Sequence, residues 1–520
     1  MVTGRSSLVT SWRSVVSLVL VGAASLALLL PLNLSIPPRD SEVWLFQSIS
    51  EMQDGQRHLP LLNGEVLKGR NPLTLAALSL IPAGDIAAPR LASCVLGSAL
   101  AVLVFVYTLL LFDLKSAVAA SAVTMTSLGY PALFGTLNLI ALPVTLAAAA
   151  FILFSLVYLG MLSRPWYIAS YLLAAGAAVT GGYLMLTFFV AAALLLILFD
   201  LAPSRLFSIH LAPGAAIVIC TLAVYYAGYR ILAGPGITTG SLSAGDHLGF
   251  LRGLLAAFTY GAPWIFLLIP ALAFGGGPSD QEAWRRLLPL RIACGIVLIM
   301  LWLSWKITPQ HAVLLVPFAA PLIGTWFTHG MGRSPRARAL GTWMMALAGA
   351  VVFLFALALL AMPMLRGTAV MPEQLLAAAA FVIAALAFGL LVFRGRVMAQ
   401  FTLAAATVFF IGWCLAFVLP EDHWNEKISY MQGICGHEPL VVYEDDVTMR
   451  GYLSAVTAEP VVVGRDAVPM NETAFLAVST SDLEDLLDEM KGRMNPVVLE
   501  SYRAENTYAL MMISPRLRGK

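Results

Sequence analysis

The sequence predicts a polytopic α-helical membrane protein, with about 13 transmembrane helices and a small water-soluble α/β domain at its C-terminal end. Three observations predict spans and tail: the apolar content, the spacing of the apolar runs, and a charge split between the first 420 residues and the last 100. Of 520 residues, 59% are hydrophobic and 12% are charged, with a mean hydropathy of +0.84. Soluble domains carry about 45–50% apolar and about 25% charged residues, so that class is excluded. Disorder, which needs low hydrophobicity and high charge, is excluded with it.

A spanning helix needs about 20 mostly apolar residues. Such runs fall at 13–35, 89–112, 116–134, 137–161, 167–181, 183–200, 211–233, 252–274, 289–305, 311–328, 339–362, 374–393 and 398–419. The first is longer than the apolar stretch of a secretory signal. The short pair at 167–181 and 183–200 meets at Gly181-Gly182. Orientation follows from loop charge, because Lys and Arg stay on the cytoplasmic side. With the N-terminus inside, the internal connections hold Arg5, Arg13, Lys115, Arg164, Arg205, Arg285, Arg286, Arg333, Arg336, Arg338, Arg394 and Arg396. The short external loops hold little beyond Lys306 and Arg366. Residues 421–520 are then outside, which in a bacterial inner membrane is the periplasm.

The first external loop, 36–88, is too long for a plain connector. A helix over 41–53 places Leu45, Ile49 and Met52 on one face with Trp44 beside them, a pattern expected to lie on the membrane surface. Pro60 to Gly64 reads as a turn, and Leu73 to Ile81 as a short, half-buried apolar run. Residues 1–420, this loop included, form the expected membrane domain.

The expected second domain, 421–520, holds 17 of the 29 acidic residues and 9 of the 31 basic ones. Pro439–Tyr443, Val461–Val463, Ala474–Val478, Val497–Tyr502 and Tyr508–Ile513 read as strands. Ser481 with Glu484 gives a capping box opening a helix to about Met490.

No Walker loop, GxGxxG, GxSxG or HExxH is present, the five cysteines show no metal spacing, and no basic patch points to nucleic acid. The cofactor is therefore unknown, with no metal motif. Ionisable groups within the spans are scarce, and Asp113 and Asp200 read as solvated charges at span ends. Carboxylates gather instead in the outer loops: Asp40, Glu42, Glu51, Asp54, Glu65 and Asp246. Asp40 and Glu42, beside a surface helix, are the candidates for a base acting on a lipid-borne substrate. Lys68, Arg70 and Lys306 are placed to hold a phosphate, or to anchor at the lipid boundary by snorkelling. His311 joins them as a substrate-binding candidate, with a structural role as its alternative.

The order of these features resembles the GT-C glycosyltransferases of the bacterial aminoarabinose-transferase and protein O-mannosyltransferase group. The resemblance rests on an Asp-containing loop with a surface helix after the first span, then Gly55-x4-Pro60-Leu-Leu-Asn-Gly64 and a basic residue before Pro72. It continues through Pro89-Arg-Leu-Ala-Ser93, Arg164-Pro-Trp166, Gly261-Ala-Pro-Trp264 and Pro317-x3-Pro321, and covers nearly the whole chain. It implies transfer of a sugar from a polyprenyl-phosphate carrier to a lipid, glycan or protein acceptor. Counting back from Gly55 puts Asp40 on the family's catalytic Asp; counting from Met52 instead puts Glu42 on the family's Glu. Arg70 matches the family's Lys before Pro. Three positions depart: Gly69 replaces a Glu, the segment Gly135 to Pro143 holds no acid, and Gly181 stands where the family has Lys. A non-catalytic subunit that binds lipid-linked sugar or a partner membrane protein is the second reading. A lipid or glycan transporter is the third, disfavoured by the scarce internal charge.

Overall fold

The computed structural model describes residues 11–35, 40–54, 61–62, 65–66, 72–81, 87–199, 211–233, 249–274, 281–303, 309–330, most of 335–350, isolated positions between 379 and 406, and 440–442, 462–463, 474–479, 494–503 and 507–515. The chain divides into two compact units. One comprises Met1–Ser35, Arg90–Arg230 and Ser241–Pro420; the other comprises Ile36–Pro89, Ile231–Gly240 and Glu421–Lys520. The first loop thus groups with residues 421–520 rather than with the helices that flank it.

In the first unit the helices are α1 (Trp12–Ser35), with α2 and α3 belonging to the loop below, then α4 (Ala87–Leu111), α5 (Leu114–Thr126), α6 (Gly129–Phe134), α7 (Ala141–Tyr158), α8 (Trp166–Gly181), α9 (Tyr183–Phe199), α10 (Leu211–Ala233), α11 (Gly249–Gly261), α12 (Ile265–Phe274) and α13 (Gln281–Leu303). A 3-10 helix (Pro309–Leu315), α14 (Val316–Thr325) and a π-helical turn (Trp326–Gly330) follow. Four described helices are long and apolar enough to cross a bilayer: Trp12–Asn33, Ala87–Leu111, Ala141–Tyr158 and Gln310–Gly330. Large apolar side chains on the outside, among them Ile219 at 65% and Leu172 at 54% exposure, fit a surface facing lipid. The chain is a helical membrane protein.

Two expected spans are broken. The run 116–134 is divided between α5 and α6 by Ser127-Leu128, and 252–274 becomes α11 and α12 bent by 95°. Pro263 explains the second break, since it has no N–H to continue a helix. The bend is held from outside: Trp264 Nε1 donates to Thr126 Oγ1 at 2.9 Å, and Leu128 N donates to the Ala262 carbonyl at 2.9 Å. The pair at 167–181 and 183–200 is two helices, joined at Gly182, whose φ of 77° suits glycine. The expected spans 374–393 and 398–419, and most of 339–362, lie outside the described residues.

Close packing of small residues orders this unit. At Gly324 an added Cβ would stand 2.7 Å from Ala120 N, so α14 and α5 meet backbone to backbone. At Gly97 it would stand 2.7 Å from Phe134 Cβ and 2.8 Å from Leu29 Cδ1. Phe151, Phe188 and Phe318 pack edge to face or tilted with centroids 5.5–5.8 Å apart, joining α7, α9 and α14.

In the second unit the first loop forms α2 (Asp40–Asp54), β1 (Leu61–Leu62), β2 (Glu65–Val66) and α3 (Pro72–Leu78). Antiparallel pairing of Leu62 with Glu65 brackets Asn63-Gly64, a two-residue hairpin signal. Five strands, β3 (Leu440–Val442), β4 (Val462–Val463), β5 (Ala474–Ser479), β6 (Met494–Arg503) and β7 (Thr507–Pro515), overlap the five strand-like runs. They form one sheet in the order β4-β3-β5-β7-β6, parallel across β4-β3-β5 and antiparallel across β5-β7-β6. The helix expected from Ser481 lies outside the described residues.

Candidate functional site

The first-loop helix α2 begins at Asp40, and Glu42 falls in its first turn. Leu45, Ile49 and Met52 are buried at 4%, 0% and 0% exposure, as the apolar spacing predicts. Protein covers this face, however, where a lipid surface was expected: α2 packs against α3 and β1. Gln53 closes the far end of the helix, donating from Nε2 to the carbonyls of Ser79 at 3.0 Å and Ile81 at 2.5 Å.

Glu42 continues the buried stripe. It sits three residues before Leu45 and is 1% exposed. A carboxylate at such a position is costly, because burying a charge requires compensating contacts that an apolar residue would not need. Asp40 is the first residue of α2, and its side chain lies outside the described residues. The two ways of counting the family motif make Asp40 and Glu42 rivals for one role.

His311 is half-buried on the 3-10 helix, followed by four residues, Ala312 to Leu315, that are 3% exposed or less. That helix packs against α6, α7, α11, α13 and α14. Lys68, Arg70 and Lys306 lie outside the described residues. Among the described residues no three His, Cys, Asp or Glu side chains come together.

The departures from the family pattern have structural counterparts. Asn138, in the segment without an acid, accepts from Ile140 N at 3.0 Å through Oδ1 and so shapes the turn into α7. At Gly181 an added Cβ would stand 2.5 Å from Pro143 Cβ, so α8 and α7 have closed over the position where the family has Lys.

Sequence reading passed over Arg90 although it lies inside a matched motif. It is 3% exposed, and its Nη1 donates to the Asn33 carbonyl at 2.9 Å. Its signal was a charged residue inside an apolar run. Asp113 is more than a solvated end charge. It N-caps α5 by accepting from Ser116 N at 2.8 Å, and it meets His329 Nε2 at 2.5 Å. Partial burial pushes its carboxyl up, but the Ser116 N–H and His329 outweigh that and hold it below the usual carboxylate range.

The fold is similar to that of GT-C membrane glycosyltransferases, as the motif order implied. In particular, the chain is similar to the crystal structure of ArnT from Cupriavidus metallidurans in the apo state, with a TM-score of 0.69 and 16% identity over 95% of this chain and 97% of that one. It is similar too to ArnT from the same organism bound to undecaprenyl phosphate, with a TM-score of 0.67 and 15% identity over the same shares. At this identity the likeness is one of fold. No family model and no curated protein matches the chain.

Proposed function

We propose that the chain is a membrane glycosyltransferase that moves a sugar from a polyprenyl-phosphate carrier to a lipid, glycan or protein acceptor on the outer face of a bacterial inner membrane. About thirteen spans and an outward 421–520 α/β domain belong to this reading. The observation that carries it is the fold shared over nearly the full length of an enzyme crystallised with undecaprenyl phosphate. Asp40 removes the acceptor proton or orients the hydroxyl, with Glu42 as its rival. The acceptor oxygen bonds to the anomeric carbon as the bond to the carrier phosphate breaks. Lys68, Arg70 and Lys306 stabilise the departing phosphate, and His311 adds a polar group to the binding side. Such charge stabilisation supplies much of the acceleration in phosphate-leaving reactions.

The closure of α7 and α8 over Gly181 favours a second reading, a subunit that binds lipid-linked sugar or a membrane protein without transfer, because a family cation has no room there. Incubating the purified full chain in nanodiscs with a panel of undecaprenyl-phosphate sugars separates the two. Donor loss with release of undecaprenyl phosphate supports transfer. Binding without loss, across the panel and with mixed acceptors, supports the second reading.

A further inference from the structure

Helix α13 carries the expected span 289–305 and holds a charge inside it, Arg291. The Nε, Nη1 and Nη2 atoms of Arg291 are all shut away from solvent, and none meets an acceptor. What the guanidinium does meet is an aromatic face: its Cζ stands 4.2 Å from the centre of the Trp284 ring. Stacking on an indole attracts a cation, yet it leaves every guanidinium N–H without an oxygen. A buried cation left in that condition is costly, and buried polar groups are nearly always hydrogen-bonded. A nearby arginine of the same helix has the ordinary arrangement. Arg286 Nη1 donates to the Leu111 carbonyl at 3.2 Å, and its Nη2 pairs with Glu282. Among the described residues, Arg291 has no such acceptor.

The tryptophans of α13 locate the guanidinium relative to a bilayer. Trp284 and Trp302 are 46% and 58% exposed. They stand about five whole turns apart, hence on one face, with about 27 Å of helix between them. That length is close to the about 30 Å of bilayer hydrocarbon, and exposed tryptophans gather at the two membrane interfaces. Trp284 therefore marks the head-group level at the start of α13. The backbone of Arg291 is about 10 Å deeper. Side chains on a helix lean toward its N-terminal end, and the stack on Trp284 draws the guanidinium back to the head-group level. Phospholipid phosphates lie at that level, and a phosphate accepts two guanidinium N–H groups at once.

We propose that Arg291 and Trp284 form a binding site for the phosphate of an anionic phospholipid. Trp284 is the cover: the indole swings aside as phosphate oxygens take the guanidinium N–H groups that it leaves unpaired. In the orientation that the loop charges predict, Arg285 and Arg286 are internal, and the lipid comes from the cytoplasmic leaflet. The site lies wholly on α13 and is independent of the first-loop carboxylates and of sugar transfer.

The test uses the full chain in detergent micelles, titrated with phosphatidylglycerol and read by native mass spectrometry as lipid retained. Arg291→Leu removes the cation, Arg291→Lys keeps a charge without the planar fork, and Trp284→Leu removes the cover. Arg291→Leu replaces an unpaired charge by an apolar side chain and should fold. Its affinity for phosphatidylglycerol should fall by about 10–100-fold, the loss expected for a charge-assisted hydrogen bond, and Arg291→Lys should recover part of it. Trp284→Leu should bind at least as tightly as wild type, because the indole competes with phosphate for the guanidinium. Inorganic phosphate should not displace the lipid; displacement at equal concentration would make a free phosphate the occupant of the same site. Equal affinity in wild type and a folded Arg291→Leu would overturn the proposal, and so would loss of binding in Trp284→Leu.

Discussion

Two carboxylates at two ends of helices show how differently one chemical group can be used in this protein. Asp113, between α4 and α5, has a side chain that is 37% exposed, caps a helix and pairs with His329. Every feature of its setting serves the fold. Glu42, in the first turn of α2, occupies a 1% exposed place on the stripe of Leu45, Ile49 and Met52, where a leucine would pack without any charge to desolvate. The contrast teaches that burial separates the two carboxylates better than charge or loop position does.

The sharpest way to break the comparison is to exchange each acid for leucine. Glu42→Leu should lower thermal stability by about 1–3 kcal/mol, because the groups that meet the buried carboxylate are left unsatisfied. If Glu42 is the catalytic acid, donor consumption in that variant should fall by about 10²–10⁴. Asp113→Leu should lose about 1 kcal/mol with its cap and keep its turnover. Parallel melting curves and donor-consumption rates read both. A stability loss in Glu42→Leu with intact turnover would make Glu42 a structural residue like Asp113.

A smaller effect concerns the closed family position. Gly181→Lys inserts a side chain against Pro143 and Met185 and should cost about 1–3 kcal/mol as an overpacked contact. Wild-type stability in that variant, read by thermal melting, would show that α7 and α8 give way more easily than their approach implies.

The smallest effect is one of pH. Because the Asp113 carboxyl sits below its ordinary value in the folded protein, its support is fully present above about pH 4 and is lost as pH falls through the lowered value. Melting temperature measured from pH 6 downwards should therefore fall more in the wild type than in Asp113→Asn. Identical slopes would remove Asp113 from the acid limb.

Much of this was legible in the sequence, for identifiable reasons. Hydropathy alone located α1, α4, α7 and α10, whose apolar runs end at turns or charges. It missed the breaks at Ser127-Leu128 and Ala262-Pro263 because the apolar run continues through both, although Pro263 within Gly261-Ala-Pro-Trp264 carried the signal. The burial of Glu42 was present as spacing: 42, 45, 49 and 52 share one helical face, but only the three apolar members were read that way. The covering of that face by protein rather than lipid depends on β1 and α3 folding back onto α2 from further along the same loop, and the periodicity of α2 alone does not state it. Asp113 could be recognised as a charge at a helix start, while its partner His329 lies 216 residues on.

The central claim is that a first-loop carboxylate performs transfer from a polyprenyl-phosphate sugar, and the most direct test compares Asp40→Asn with Glu42→Gln. Both variants keep side-chain size and remove the charge. Initial rates of undecaprenyl phosphate release should fall by about 10²–10⁴ in one of them, with unchanged melting temperature and carrier binding, and stay near wild type in the other. Near-wild-type rates from both would contradict the account and take catalysis away from the first loop.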